Sequence, residues 1–315
     1  RFGDAYDLSL TMSPLVLADV LPGAGGRLDG ELALRGPAAA PGLSTDLRGE
    51  ALSVDGIEAA TLTLRGTLPA AGNDGELALR AGGVSLAGLG ADTLSLDARG
   101  SRAALELQGA ARGDHGELAL GGTLGETRDG FEGELANLRL APSTGPTLVL
   151  QAPAAFRAGS TGLRIERACL RAGDSTGRLC AEADGDTVSV QGEALPLALA
   201  APWLPADEGV PLTLDGTLAM QARLERGATG WRGEGRLDSA RGALRIDPMS
   251  RRDVFAYQDL VGELQFEPAG ASMTLRAALA DDGRLDARAT LGGGVNRPLE
   301  GEILVDAREL SFIEL

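Results

Sequence analysis

Two cysteines, one histidine and a few acidic or glycine-rich turns are the residues in this 315-residue sequence whose types and spacing could do chemistry. Cys169 and Cys180 sit in RACLRAGDSTGRLCAE, equidistant from Asp174-Ser175. If those two residues form the turn of a hairpin, the cysteines face each other across it. A pair at a non-hydrogen-bonded position can close a disulfide; the other reading is two buried free thiols. A disulfide would point to an oxidising compartment such as the bacterial periplasm, and the spacing excludes a CxxC redox or zinc motif. His115 lies in the turn GDHGE, where a solvent-facing loop residue is expected rather than a base. Asp281-Asp282-Gly283 lacks the spacing of a calcium loop. Gly292-Gly293-Gly294 is followed by strand-like sequence, not a helix, so it reads as a turn rather than a phosphate cradle. Trp203 and Trp231 read as packing anchors, and Arg251-Arg252 as a loop skirting the strands. The expectation is no enzyme, no metal and no cofactor.

Composition narrows the partners. The net charge of −16 argues against nucleic acid, whose phosphates need a basic face, and against docking on anionic headgroups. No lysine occurs, so all 29 basic residues are arginine. Hydrophobic residues reach 43% while aromatics stay at 3%, so any core must be leucine with alanine filler. Nothing is long or apolar enough to span a bilayer as a helix. The opening LSLTMSPLVLADVLP is broken by Pro14 and Asp19 and lacks a charged start or cleavage site. With no initiating methionine, the chain reads as a piece of something longer.

The elements that must position these residues are strands. Alternation runs through Leu32/Leu34, Leu62/Leu64, Leu77/Leu79, Leu94/Leu96, Leu105/Leu107, Leu118/Leu120, Leu148/Leu150, Leu212/Leu214/Leu218 and Leu264/Phe266. Period-two spacing puts these on one face, with Glu31, Arg35, Asp97 and Glu106 on the other. Turn chemistry is expected at Asp29-Gly30, Asp55-Gly56, Asn73-Asp74-Gly75, Asp114-His115-Gly116, Asp129-Gly130, Asp215-Gly216 and Asp282-Gly283. The heptapeptide GELALRG at Gly30 recurs as GELALRA at Gly75 and GELALGG at Gly116, with looser copies at Gly133 and Gly262. The fold class is all-β: some 20 strands of about seven residues, each spanning roughly 23 Å, side by side in an antiparallel sheet on the order of 100 Å long. An exposed leucine forgoes roughly 1.5–3 kcal/mol, so the leucine face must be covered by a second sheet or curl into a groove. Plentiful glycine and scarce aromatics favour the curl. A longer repeat lies on top: SPLVLADVLP (13–22) and LPLALAAPWLP (195–205) each lead into fresh strands, predicting short helices near 14–21 and 196–204. The division expected is a first unit over 1–192 and a second over 193–315, with ARELSFIEL as the lead-in to a third.

Residues Leu52–Gly100, Gly116–Pro153, the cysteine hairpin and LPLALAAPWLP together carry a paired leucine–glycine cadence that resembles the TamB family of AsmA-like proteins. The resemblance implies a curled "β-taco" sheet with a hydrophobic groove, lined by the leucines above, in a periplasmic protein with an inner-membrane anchor and an outer-membrane barrel partner of the TamA type, both outside this segment. It implies bridge-like movement of phospholipid between the membranes, its acyl chains in the groove, or help in assembling outer-membrane proteins. Reading the residues leaves both classes standing: a lipid conduit, and a scaffold whose sheet edge takes up client strands by β-augmentation.

Overall fold

The structure is a computed structural model that describes residues 5–38, 41–54, 56–70, 73–86, 89–160, 162–203, 212–228, 230–246, 255–279, 283–292 and 299–306. Asp55, Arg251-Arg252, Asp281-Asp282, Gly293-Gly294 and the ARELSFIEL ending lie outside the described residues. Twenty strands are described. The chain packs as two units, Arg1–Leu140 with Pro153–Ser160, and Ala141–Ala152 with Thr161–Leu315. The 192/193 repeat boundary falls within the second.

The first unit runs β1 (Ala5–Val16), β2 (Gly25–Pro37), β3 (Gly42–Val54), β4 (Ile57–Leu68), β5 (Gly75–Leu86), β6 (Leu89–Ser101), β7 (Ala104–Gly113), β8 (Gly116–Thr127) and β9 (Gly130–Pro142). After β10 (Leu148–Leu150), which belongs to the second unit, β11 (Ala154–Gly159) returns to pair with β9. From β1 to β8 each strand pairs antiparallel with the next. The second unit continues with β12 (Gly162–Ala172), β13 (Arg178–Gly185), β14 (Thr187–Pro196), β15 (Leu212–Gly227), β16 (Gly230–Ile246), β17 (Phe255–Glu267), β18 (Gly270–Leu279), β19 (Arg284–Gly292) and β20 (Leu299–Asp306). It is again a meander, with β10 laid against β12. Among the described residues no helix is long and apolar enough to cross a membrane.

Most strands are longer than the expected seven residues. β3 has 13, about 43 Å if straight. The reason is a bend. In β3 the inward positions run Leu43, Thr45, Leu47, Gly49 and then Leu52, so one residue is skipped and the alternation changes phase. The skipped residue is Ala51, at φ 49°, a left-handed conformation that costs an alanine about 1–2 kcal/mol. The same change of phase falls between Met12 and Leu15 in β1, Ala59 and Leu62 in β4, Ala81 and Val84 in β5, and Ala91 and Leu94 in β6. In the second unit it falls at Ala194 (φ 48°) in β14 and Asp259 (φ 49°) in β17. Bulged strands bend and twist more strongly, so a line of bulges folds each sheet across its strands. The straight run Leu43–Gly49 spans about 23 Å, the length expected for a whole strand.

Two expected turns are absent for a related reason. Asp29-Gly30 lies inside β2 and Asp215-Gly216 inside β15. Gly30 holds φ +125°, and a Cβ there would sit 1.9 Å from the Asp46 carbonyl oxygen, so the glycine admits the neighbouring strand rather than reversing the chain. The lead-ins expected as helices near 14–21 and 196–204 are 3-10 segments, Leu17–Asp19 and Leu197–Trp203. Pro14 opens no helix; it sits in β1 at the register shift between Met12 and Leu15, where a missing N–H disturbs the ladder least.

Among the described residues neither unit encloses a closed core. Among the described residues no large side chain is fully buried, and the most buried apolar ones are mostly alanines.

Candidate functional site

Directly paired residues in antiparallel strands point to the same face, so the registers turn the leucine alternation into rows. One row of the first unit reads Met12, Gly30, Leu47, Leu64, Leu79, Leu96, Gly109, Leu120. The next reads Leu10, Leu32, Thr45, Gly66, Leu77, Ala98, Leu107, Gly122. Leu62, Leu94 and Leu118 share a third row with Gly49, Ala81 and Ala111. Leu34 and Leu105 follow by alternation from Leu32 and Leu107. The first-unit leucines singled out in the sequence therefore share one face, interleaved with glycine and alanine. All are half-buried except Leu96, which is 38% exposed. Thr45 is the polar exception, 5% exposed with its Oγ1 unpaired.

The second unit repeats the arrangement. Leu264 lies in a row with Val190, Ala222, Gly235 and Met273, and Phe266 with Val188, Leu224, Gly233 and Ala271. Leu218 faces Leu195, Leu150 faces Leu170, and the buried Leu148 faces Ala172. Leu214 pairs with Leu244 beyond the bend. Leu212 pairs with Ile246, with its side chain outside the described residues. At the bend the buried Ser239 hydroxyl donates to the Thr217 carbonyl at 2.7 Å and lies 2.9 Å from the Tyr257 hydroxyl, whose ring covers Gly242.

The opposite face is polar. Arg65 pairs with Asp46 at 2.9 Å, Arg112 with Glu117 at 2.7 Å and Arg164 with Asp184 at 2.7 Å, each directly across a strand pair. Such exposed pairs contribute at most about 1 kcal/mol each, but a one-residue slip would bring every leucine into their place, so they reinforce register. Hydrogen bonding to Asp238 raises the Arg236 guanidinium above its ordinary value. Cys169 and Cys180 pair directly and form a disulfide, with Cα atoms 4.0 Å apart, around the expected Asp174-Ser175 turn. Their row continues through Gln191, Gln221, Arg236 and Glu263, so the disulfide lies on the polar face.

In the first unit Arg102, from the β6–β7 turn, donates to Glu126 Oε2 at 3.2 Å and to the Pro41 carbonyl beside β3. Three strand spacings separate β3 from β6, about 14 Å in a flat sheet. That is more than an arginine spans, so the strand ends draw together at this rim.

Three aromatics stand apart from the packed rows. Tyr6 (50% exposed), Phe131 (49%) and Trp231 (41%) all have the leucine-face phase. Each occupies the rim row at the strand ends opposite its unit's 3-10 segment. Trp231 is therefore not the packing anchor expected; its partner in the ladder is the exposed Arg226. The signal was present in the sequence, since Phe131 and Trp231 each directly follow a turn glycine.

No solved structure matches the chain. The model of the TamB N-terminal domain matches residues 1–315, the whole length. TamB is a bacterial envelope family, and the Cys169–Cys180 disulfide fits an extracytoplasmic location. With the two-faced meander and the cysteine hairpin in place, this match over the full sequence shows that the chain belongs to the TamB family.

Proposed function

We propose that the leucine face of each unit is a groove that shelters phospholipid acyl chains in the periplasm, so that the chain forms part of a bridge carrying lipid between the inner and outer membranes within a translocation and assembly module. The observation that carries this reading is the partial burial of the leucines with no covering layer over them among the described residues of their unit. Part of the roughly 1.5–3 kcal/mol that full burial of each leucine supplies is left unrealised on such a face, and an acyl chain supplies it. The straight run of about 23 Å from turn to bend exceeds one acyl tail, roughly half of a 30 Å hydrocarbon core. Leucine walls offer no fixed polar contact, so lipids can slide, and the segment acts as a carrier rather than an enzyme. The inner-membrane anchor and the TamA-type barrel partner belong to other segments in this reading.

One observation favours a second reading, a scaffold for outer-membrane proteins. Among the described strands β1 pairs only with β2, and its Leu8 and Leu10 are 55% and 47% exposed, which suits β-augmentation. Mass spectrometry of the purified chain separates the two. Co-purified phospholipid in stoichiometric amount is expected; a lipid-free chain that retains extended barrel-protein segments would move the assignment to the scaffold.

A further inference from the structure

We infer that lipids in each unit's groove point their headgroups towards one rim, the one that carries Tyr6 and Phe131 in the first unit and Trp231 with Arg226 in the second. This rests on the conduit reading and adds to it a headgroup site and a direction.

Aromatics make up only 3% of the chain, yet the three exposed ones among the described residues occupy equivalent places: leucine-face phase, outermost row, rim opposite the 3-10 segment. Burial does not explain them, because each is between 41% and 50% exposed. Tyrosine and tryptophan present an apolar body with a polar tip and settle where hydrocarbon meets headgroup. Below Trp231 the next row is apolar (Leu224, Gly233, Phe266), while Trp231 itself is at the water's edge.

Charge distinguishes this rim further. Arginines on the polar face are commonly neutralised by a cross-strand acid, as Arg65 and Arg112 are. Arg226 has the leucine-face phase beside Trp231, and among the described residues no acid pairs with it. A guanidinium at the end of an apolar row matches the phosphate of a glycerophospholipid whose tails run along that row. At the opposite rim the first unit instead places exposed Val20 and Leu21, which follow its 3-10 segment Leu17–Asp19, and the second unit the apolar stretch LALAAPW. A polar anchor at one rim and exposed apolar side chains at the other fix the lipid's direction.

The test uses Trp231 as its own reporter. Trp203→Phe leaves it the sole tryptophan of the 315-residue chain. That protein is loaded with phosphatidylglycerol spin-labelled at the headgroup, near the carbonyl or near the terminal methyl, and bound lipid phosphate is counted alongside. Quenching of Trp231 strongest with the headgroup and carbonyl labels and weakest with the methyl label is expected, and Arg226→Gln should lower phosphatidylglycerol loading about two- to fivefold, the range of one exposed charge contact. Bound lipid with quenching equal at all depths, or strongest at the methyl, would overturn the orientation and leave the conduit standing. No bound lipid in any form would overturn both.

Discussion

Leu79→Asp is expected to abolish lipid loading while leaving the fold in place. Leu79 is half-buried in the middle of the first unit, in a row with Leu64, Leu96 and Leu120. Removing a leucine buried to this extent forgoes about 1–2 kcal/mol of burial, and the new carboxylate can reach water on the groove face. To an acyl chain the same carboxylate is a charge in hydrocarbon, a penalty of about 3 kcal/mol, or roughly a hundredfold in occupancy. Phospholipid extracted per chain should therefore fall to background, while circular dichroism and the urea midpoint stay near those of the parent. Arg65→Ala, which breaks the exposed pair with Asp46 on the other face, should leave lipid unchanged. Equal lipid in Leu79→Asp and the parent would mean that the leucine face is not where lipid sits.

The second large effect is expected from the disulfide. Joining residues 11 apart removes about 3 kcal/mol of loop entropy from the unfolded chain. Cys169→Ser with Cys180→Ser should lose an amount of that order. In an array where each strand touches only its neighbours, stability is a sum of local terms, so the loss should stay near β12 and β13. Hydrogen exchange there should quicken about a hundredfold, the kinetic equivalent of that loss, with β3 to β7 unchanged. Because the disulfide lies on the polar face, lipid loading should survive. Uniform exchange across both units, with or without the bond, would show that the meander unfolds as one block and that the disulfide secures no particular hairpin.

How much of this was legible beforehand depends on the kind of signal. Leucine alternation is a local pattern, and the face it defined is the face the registers assemble. The cysteine pair was legible because two positions equidistant from a turn can meet only across a hairpin. Strand length was misread because Asp29-Gly30 and Asp215-Gly216 have turn composition, whereas strand β2 and strand β15 pass through them with glycine admitting a neighbour's backbone. The line of bulges was hidden because period-two reading looks for continuity, and a bulge is a break in it. A spacing of three inside a run of twos, as from Gly49 to Leu52 or Ala59 to Leu62, is its trace. The place of the rim aromatics was only half legible: Phe131 and Trp231 each follow a turn glycine, but single residues carry no periodicity, and the register is what shows that Tyr6, Phe131 and Trp231 occupy equivalent places.

The most direct measurement of the central claim is photo-crosslinking in living cells. A photoreactive residue placed in turn at Leu32, Leu79, Leu120 and Leu214 reports on the leucine face, and Arg35 and Glu106 on the polar face. Phospholipid adducts at the four leucines and none at the two polar positions are the predicted result. Protein adducts at the leucines with no lipid at any of them would contradict the conduit and leave the sheet as a scaffold for client strands.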